Sequence, residues 1–228
     1  MFKSFKLISL LCLFNLISAL NLGNIHYSSA GAILRVKIGS KYYLLLAKEK
    51  HGAKAGTFDS FSGQRDRGEK PWQTAGREFY EESAAAFGKL DYYKKLTSKA
   101  IAVIGLMRHG SKTQASGINY LIDLDNKQYK SLVQNFYKNL KNKKLSYVFK
   151  EKSQLALFEE EQVKSMLKNN ANRHNFRLNA LIVDSKLKTH KSNEKIYGFL
   201  PKMLEGYYRN SKNYIQDNTQ KNVKFYNS

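Results

Sequence analysis

The feature that most constrains this chain is a short stretch, Gly63 to Ala85, in which charged side chains recur at fixed intervals. Five residues separate Gly63 from Glu69, and seven separate Glu69 from Arg77. A compact cluster follows without a gap: Arg77, Glu78, Phe79, Glu81 and Glu82. Any one of these charges alone is typical of a solvated helix face, where an ion pair contributes less than about 1 kcal/mol. The joint spacing favours a built site over a solvated face.

The second half of this stretch predicts a helix from about residue 71 to 87. Pro71 suits a first helical turn because it lacks an N–H that would be unpaired there, and Gly76 is the only helix breaker before Gly88. At about 100° per residue, three carboxylates fall within one arc of the helix. An adjoining arc contains Trp72 and Phe79, so one face should pack into a core while its neighbour presents the acids.

Like charges three and four residues apart on a helix repel each other by a few tenths of a kcal/mol per pair, so the acidic arc favours a cation. Mg²⁺ is the natural candidate, since it binds oxygen, uses one or two protein carboxylates and completes its shell with water and substrate phosphate. Glu69 would add a fourth carboxylate from the preceding loop. Gly63 and Gly68 would let that loop turn tightly and bring its backbone near a ligand.

The stretch resembles the Nudix box, G-x5-E-x7-R-E-U-x-E-E-x-G-U, in which U is apolar. The match holds at seven positions: Gly63, Glu69, Arg77, Glu78, Phe79, Glu81 and Glu82. This resemblance implies a Nudix-type α/β/α sandwich with a mixed β-sheet. It also implies a pyrophosphohydrolase that uses Mg²⁺ or Mn²⁺ to cleave a diphosphate linkage in a nucleoside diphosphate joined to another moiety.

The resemblance assigns roles by position. Glu78, Glu81 and Glu82 would be metal ligands or their water-mediated partners, assisted by Glu69. Arg77 would orient a carboxylate by ion pairing, without touching the metal. The family often presents a further Glu ahead of an aromatic strand, and Glu151 fits that place by order along the chain. Which carboxylate acts as general base stays open, because coupled acids share protons.

Ala84 departs from the family pattern, which has Gly there. The run Ala84-Ala85-Ala86-Phe87 favours helix, and Gly88 can cap it one turn later. We therefore expect a helix one turn longer than is usual for the family.

Several other elements follow from apolar patterning. A hairpin is predicted from two runs around a Gly39-Ser40-Lys41 turn, and strands are predicted at 99–107 and 117–125. Apolar residues at helical spacing predict a helix from Lys127 to Leu140. Ser146 to Lys150 resembles a last strand, and the acids at 159–161 should begin the next helix.

The chain divides into three predicted parts: a signal peptide at 1–20, a Nudix hydrolase domain at 21–170, and a basic helical C-terminal extension at 171–228 packed on the same domain. Lys3 and Lys6 precede an apolar run that ends in small residues, which predicts a secreted or periplasmic protein with no stable membrane insertion once the signal is removed. An uncleaved N-terminal anchor is the alternative. The only cysteine, Cys12, lies in this segment, so the remainder can form neither disulfides nor thiolate metal sites.

The formal net charge of +21 is the remaining constraint on function. Such a chain attracts polyanions, and it suits a phosphate-rich small-molecule substrate or nucleic acid. AT-rich coding produces the same Lys- and Asn-rich composition without selection for binding, so both interpretations stay open. The alternative function is a non-catalytic nucleotide- or RNA-binding module with salt-dependent affinity. Capped RNA, dinucleoside polyphosphates, nucleotide sugars and nucleoside triphosphates all remain candidate substrates, and the oligomeric state is not specified by the sequence.

Overall fold

The computed structural model describes residues 25–108, 113–169, 176–209, 215–217 and 221–227 of the chain. The predicted signal peptide at 1–20 therefore lies outside the described residues. Within the described ranges, no helix combines the length and the apolar character needed to cross a bilayer.

Twelve strands in the described ranges form one sheet. In chain order they are β1 (His26–Tyr27), β2 (Ser29–Ile38), β3 (Lys41–Glu49), β4 (Phe58–Asp59), β5 (Phe61–Gln64), β6 (Ala102–Met107), β7 (Gln114–Leu124), β8 (Lys152–Glu159), β9 (Arg177–Val183), β10 (Thr189–Lys195), β11 (Ile215–Asp217) and β12 (Lys221–Asn227). Five helices accompany them: α1 (Pro71–Glu82), α2 (Leu90–Ser98), α3 (Asn126–Leu140), α4 (Glu160–Asn169) and α5 (Phe199–Arg209).

The sheet is mixed. Its strand order is β10-β9-β8-β3-β2-β7-β6-β12-β11, with β1 beside β7, β4 beside β3 and β5 beside β2. The central β2–β7 pair is parallel, with Ala32 opposite Tyr120, whereas β2 pairs with β3 and β5 in the antiparallel sense. Strand β5 thus enters the sheet next to its centre, which places the loop that follows it beside the helix α1.

Two apolar cores lie on opposite faces of the sheet, because successive strand side chains alternate between faces. One core contains Leu34 and Leu45 from the strands together with Phe79, Tyr93 and Phe136 from α1, α2 and α3. The other contains Ile33 and Leu44 together with Val163 of α4 and Leu204 of α5. The expected α/β/α sandwich with a mixed sheet is confirmed.

The predicted hairpin is also confirmed. Strands β2 and β3 pair in register from Leu34↔Leu45 to Ile38↔Lys41, so that only Gly39 and Ser40 form the turn. Gly39 has φ +61°, a left-handed conformation that favours glycine. The strands predicted at 99–107 and 117–125 correspond to β6 and β7, and the helices predicted from Lys127 and from the acids at 159–161 correspond to α3 and α4.

The expectation of a longer helix through Ala84 is wrong. Helix α1 ends at Glu82, and both Ala84 and Ala85 adopt left-handed conformations, with φ +55° and +53°. A left-handed conformation costs a non-glycine residue about 1–2 kcal/mol. Hydrogen bonds from α3 to this turn offset part of that cost: the Asn139 amide donates to the Ala84 carbonyl at 2.8 Å, and Asn135 donates to the Ala86 carbonyl at 2.9 Å.

The strand predicted at Ser146–Lys150 is wrong as well. Tyr147–Lys150 forms a short 3₁₀ turn, and the strand β8 begins at Lys152. Tyr147 is exposed and Val148 is largely so, which shows that this run has no apolar partner on a sheet.

The chain beyond residue 170 contributes strands as well as helix. Strand β9 pairs with β8, and β10 pairs with β9 to extend that side of the sheet. The helical extension predicted at 171–228 includes the described helix α5, whose Leu200, Met203 and Leu204 pack into the second core.

Candidate active site

The loop between β5 and α1 and the first turns of α1 bring the charged residues of the Gly63–Ala85 stretch together. Gly68 has φ +85°, so the turn ahead of Glu69 requires glycine. Helix α1 begins at Pro71, and the Gln73 side chain accepts a hydrogen bond from the Lys70 backbone N–H at 2.9 Å. This start orients Arg77, Glu78 and Glu81 toward the loop that carries Glu69.

Arg77 contacts four carboxylates, of which Asp66, 3.3 Å from Nε, is exposed. We call the group of Arg77, Glu69, Glu78 and Glu81 the Arg77 corner. The guanidinium forms a fork on Glu69, with Nε 3.0 Å from Oε1 and Nη2 3.0 Å from Oε2. Its Nη1 atom lies 2.7 Å from Glu78 Oε1 and 3.2 Å from Glu81 Oε2. Nη2 also donates to the Gln64 carbonyl at 2.8 Å, which fixes the guanidinium to β5. The geometry matches the orienting role that the resemblance implies for Arg77.

Glu69 is fully engaged by protein donors. Besides the Arg77 fork, its Oε2 accepts from the Thr74 hydroxyl at 2.8 Å and from the Asp66 N–H at 3.2 Å. Burial raises the pKa of Glu69, but hydrogen bonds from Arg77 and Thr74 outweigh burial and hold the pKa below its ordinary value. The assistance of Glu69 in metal binding stays a prediction.

Glu78 and Glu81 have fewer donors than Glu69. Burial raises the pKa of Glu78 to about 7, with Arg77 opposing the rise and the charges of Glu81 and Glu151 adding to it. Burial also raises the pKa of Glu81, again against the effect of Arg77. Both carboxylates are therefore short of positive charge, which is the condition in which a divalent cation is stabilising.

Gly63 gives Glu78 its space. Gly63 lies in the strand β5, and a Cβ built on it would overlap the Glu78 carboxylate. Gly63 does not turn the loop, contrary to the expectation. It is needed because the Glu78 carboxylate packs directly on the backbone of β5. Alanine at this position would displace the carboxylate.

Glu82 belongs to a second, buried group, which we call the Lys152 cluster (Lys152, Glu82 and Glu49). Lys152 Nζ lies 2.6 Å from Glu49 Oε1 and 3.2 Å from Glu82 Oε1, and it donates to the Ser60 carbonyl at 3.2 Å. The other Glu82 oxygen accepts from the Ser62 N–H at 2.6 Å. The Lys152 side chain is 0% exposed. Burial lowers its pKa, but the carboxylates of Glu82, Glu49 and Asp59 outweigh burial and raise the pKa above its ordinary value.

Glu151 lies immediately ahead of β8, where its carbonyl accepts from the Lys50 N–H at 2.9 Å. Its charge raises the pKa of both Glu78 and Glu81, so its carboxylate acts on the same corner. The structure thus brings Glu151 into electrostatic range of the two partly buried acids, and its role as ligand or base stays a prediction.

Glu78 and Glu81 are the acids of this region with the most capacity left for a metal ion. Within the described ranges, no group of three or more acidic, histidine or cysteine side chains has the closeness of a formed metal site. Glu78 and Glu81 are two carboxylates joined by one Arg77 nitrogen, while Glu69 and Glu82 are held by other protein donors. Mg²⁺ uses only one or two protein carboxylates and keeps several waters, so Glu78 and Glu81 fit Mg²⁺.

Two residues of this region were not anticipated from the sequence. Lys152 was missed because lysine is rarely fully buried unless it is paired. The residues next to it give no signal of burial, since β8 begins Lys-Ser-Gln and its apolar run starts only at Leu155. The second residue, Asn119 on β7, carries no motif at all; it is 3% exposed in a run of apolar neighbours.

Comparisons with known proteins give a partial result. No family model matches the chain, and no curated protein matches it. Among solved structures, the chain is similar to a binary complex of the Ap4A hydrolase of C. elegans (18% identity, 63% of this chain and 85% of that chain, TM-score 0.36). It is also similar to a MutT/Nudix family protein from Enterococcus faecalis (10% identity, 96% and 79%, TM-score 0.41). A Nudix hydrolase from M. smegmatis is a third (21% identity, 44% and 62%, TM-score 0.31).

The proteins in these similar structures are described as an Ap4A hydrolase, a MutT/Nudix family protein and a Nudix hydrolase.

Proposed function

We propose that the protein is a Nudix-type hydrolase that cleaves a diphosphate linkage in a nucleoside diphosphate joined to another moiety, with Mg²⁺ or Mn²⁺. One observation supports this most: Arg77 gathers Glu69, Glu78 and Glu81 at the junction of β5 and α1, with Glu78 pressed on Gly63. The same residues carry the sequence resemblance, so motif and geometry agree at each of these positions.

The residues of the Arg77 corner would have two roles: metal ligands, and residues that position those ligands. Glu78 and Glu81 would hold the metal, which supplies charge neutralisation and polarisation of a phosphate when bound. Arg77 would stay on Glu69 through its fork, because those two hydrogen bonds do not involve the metal-holding acids. Glu69 in turn is fixed by Thr74, whose hydroxyl also contacts the Tyr27 hydroxyl at 2.9 Å.

A proton acceptor for an attacking water is available among the same acids. A general base works best when its pKa lies near the working pH, and the pKa of Glu78 is raised to about 7. Metal binding would lower that pKa, so Glu78 cannot serve as ligand and base with equal effect. Glu151, which lies within electrostatic range of the corner, is the carboxylate left for the second role.

The net charge of the chain is consistent with this substrate class. A formal charge of +21 raises the local concentration of phosphate-bearing molecules near the surface, and salt weakens that attraction. The acidic corner is the exception on this basic chain, which favours a cation bound between protein and phosphate.

The test is hydrolysis of a panel of nucleotide sugars, dinucleoside polyphosphates, nucleoside triphosphates and capped RNA, with and without Mg²⁺, followed by chromatography of the phosphomonoesters and pyrophosphate formed. We expect metal-dependent turnover of at least one class, reduced about 100-fold or more in Glu78→Gln and Glu81→Gln. The matched control is Glu161→Gln on α4, whose side chain is 75% exposed and pairs with Lys164. Turnover that survives in both corner variants would contradict the proposal.

A binding module without catalysis would give a different result in the same assays. It would bind nucleotides or RNA with an affinity that falls steeply with salt, and it would release no phosphate from any substrate.

A further inference from the structure

A cleft opens next to the strand β5. Gly63 of β5 lines this cleft and also packs against Glu78 of the Arg77 corner. The volume of the cleft is about 250 Å³, somewhat below that of typical drug-sized ligand pockets, so it fits a moiety of roughly one or two rings. Its lining includes Ser29, Ser62, Gly63, Asn119, Lys54 and Tyr197. Since Gly63 also packs on the Glu78 carboxylate, a ligand in this cleft would lie one strand away from the acids.

Asn119 is the unusual member of this lining. The residue is 3% exposed, and its Nδ2 atom donates to the Met203 sulfur at 3.2 Å. A thioether sulfur can only accept, so the amide nitrogen must face Met203 and the oxygen must face the other way. Among the described residues, Asn119 Oδ1 has no hydrogen-bond partner. A buried acceptor without a protein partner is destabilising, so Asn119 Oδ1 calls for a donor from outside the chain, either a ligand or an ordered water.

Next to Asn119 the central strand β2 carries a glycine, and the space above it is taken by Ser62 of the cleft lining. In the sheet register, Gly31 lies opposite both Asn119 on β7 and Ser62 on β5. A Cβ added to Gly31 would overlap Ser62, so β2 cannot carry a side chain at this point. The sheet surface next to Asn119 is therefore bare backbone and small polar side chains.

A positive charge lies in the lining of the cleft. Lys54 Nζ is 2.9 Å from Asp59 Oδ2 and 4.5 Å from the centre of the Tyr197 ring. Asp59 is 3% exposed, and its Oδ1 accepts from the Ser60 N–H, so Asp59 fixes Lys54 in place. The paired Lys54 and the Tyr197 ring thus give the cleft a polar wall with one aromatic face.

We propose that this cleft binds the non-phosphate moiety of the substrate and that Asn119 Oδ1 accepts a hydrogen bond from it. The inference rests on the proposed function for the identity of the substrate class. The donor is either an N–H of a nucleobase or an O–H of a sugar, and both present the same chemistry to Asn119. Asn119 is thus a specificity-determining residue: a ligand with a hydrogen-bond donor at this position binds more tightly than an analogue that lacks the donor.

The experiment measures binding of hydrolysis-resistant probes by calorimetry in Mg²⁺. The probes are the α,β-methylene analogues of ADP, GDP, CDP and UDP, with the methylene analogue of ribose 5-diphosphate as the probe that lacks a base. We expect Asn119→Leu to weaken the tightest probe by about tenfold, as the loss of one hydrogen bond worth about 1.4 kcal/mol would do. The control is Asn193→Leu, the same change at an exposed position of the edge strand β10.

The pattern across probes identifies the donor. If a nucleoside probe binds more tightly than the ribose probe and Asn119→Leu removes the difference, the donor is on the base. If all five probes bind alike and Asn119→Leu weakens all five, the donor is on the sugar. Unchanged affinities in Asn119→Leu, or no binding of any probe by the wild-type protein, would overturn the proposal.

Stability separates a ligand role from a structural one. Replacing an unpaired buried acceptor by an apolar side chain of similar size should leave the melting temperature unchanged or raise it. If Asn119→Leu does not fold, Asn119→Ala removes the acceptor without added volume and must show the same loss of binding. If probes bind through Asn119 but no substrate of the panel is hydrolysed, only the proposed hydrolysis is refuted. If the panel is hydrolysed and Asn119→Leu changes neither the rates nor the affinities, only this inference is refuted.

Discussion

The Arg77 corner and the Lys152 cluster are built from the same parts, one cation among several carboxylates, but they differ in how completely the acids are satisfied. Lys152 is 0% exposed and pairs with two glutamates, and Glu82 is also bound by the Ser62 N–H. Arg77 is 17% exposed and is divided among three glutamates. Glu78 and Glu81 are left with one guanidinium nitrogen between them.

This difference teaches what each group is for. A buried ion pair whose members are hydrogen-bonded holds the fold in one arrangement, and breaking it is costly. Partly buried acids that lack donors raise the free energy of the folded protein until a cation arrives, which is typical of a functional site. Adjacent residues of one helix, Glu81 and Glu82, therefore lie in different electrostatic surroundings, and the role of Glu82 as a metal ligand stays a prediction.

The largest expected effect is on the Lys152 cluster. Lys152→Met would leave the buried carboxylates of Glu49 and Glu82 without their cation, and we expect a loss of about 3–5 kcal/mol in the free energy of unfolding. Urea unfolding at neutral pH measures it. The matched control is Lys41→Met, which removes an exposed partner of Glu159 and should leave the unfolding midpoint unchanged.

The double variant Lys152→Met/Glu82→Gln sharpens this result. Removing the charge of Glu82 together with that of Lys152 should restore part of the lost stability, since contacting residues couple. If the single and double variants lose the same amount, the Lys152 cluster is not an electrostatic unit.

The next effect concerns pH at the Arg77 corner. The pKa of Glu78 is raised to about 7 in the folded protein, so the unfolded chain releases this proton at lower pH than the folded protein does. The contribution of Glu78 to stability is therefore greatest at low pH and falls as pH rises from about 4.5 to about 7, by about 3 kcal/mol. Glu78→Gln should flatten that decline when unfolding is measured across this range without metal.

Like the Glu78→Gln substitution, addition of Mg²⁺ should reduce the fall in stability with rising pH. We expect Mg²⁺ to raise the melting temperature of the wild-type protein more at pH 8 than at pH 5, because the metal binds the ionised acids. Mg²⁺ should change the melting temperature of Glu78→Gln only slightly at both pH values. An equal response of the two proteins would show that the metal binds elsewhere.

The smallest effect is expected for Arg77→Lys. Lysine keeps the charge but cannot form the fork on Glu69 while it also contacts Glu78 and Glu81, so we expect a loss of about 1–2 kcal/mol in unfolding free energy. Arg35→Lys is the matched control, because Arg35 forms a similar fork on Asp123, at 2.6 and 2.8 Å. Both variants should lose stability, but only Arg77→Lys should change affinity for Mg²⁺.

The sequence predicted the Arg77 corner because its residues are close along the chain. A loop and one helix carry Glu69, Arg77, Glu78 and Glu81, so spacing alone fixes which side chains can meet. The same holds for the β2–β3 hairpin, where two turn residues set the register.

Residues brought together by tertiary structure could not be predicted this way. The pairing of Lys152 with Glu49 depends on β8 lying beside β3, and Asn119 meets Met203 only because α5 covers that face of β7. The end of α1 was missed for the same reason: Asn135 and Asn139 of α3 stabilise a left-handed turn at Ala84 that local helix propensity disfavours.

The most direct test of the account is a titration with Mn²⁺, followed by electron paramagnetic resonance at about pH 7.5, of the wild-type protein, Glu78→Gln, Glu81→Gln and Glu161→Gln. The account predicts saturable binding with proton release in the wild-type protein and in Glu161→Gln, and loss of that binding in both corner variants. Equal Mn²⁺ binding by all four proteins, or none by the wild-type protein, would contradict it.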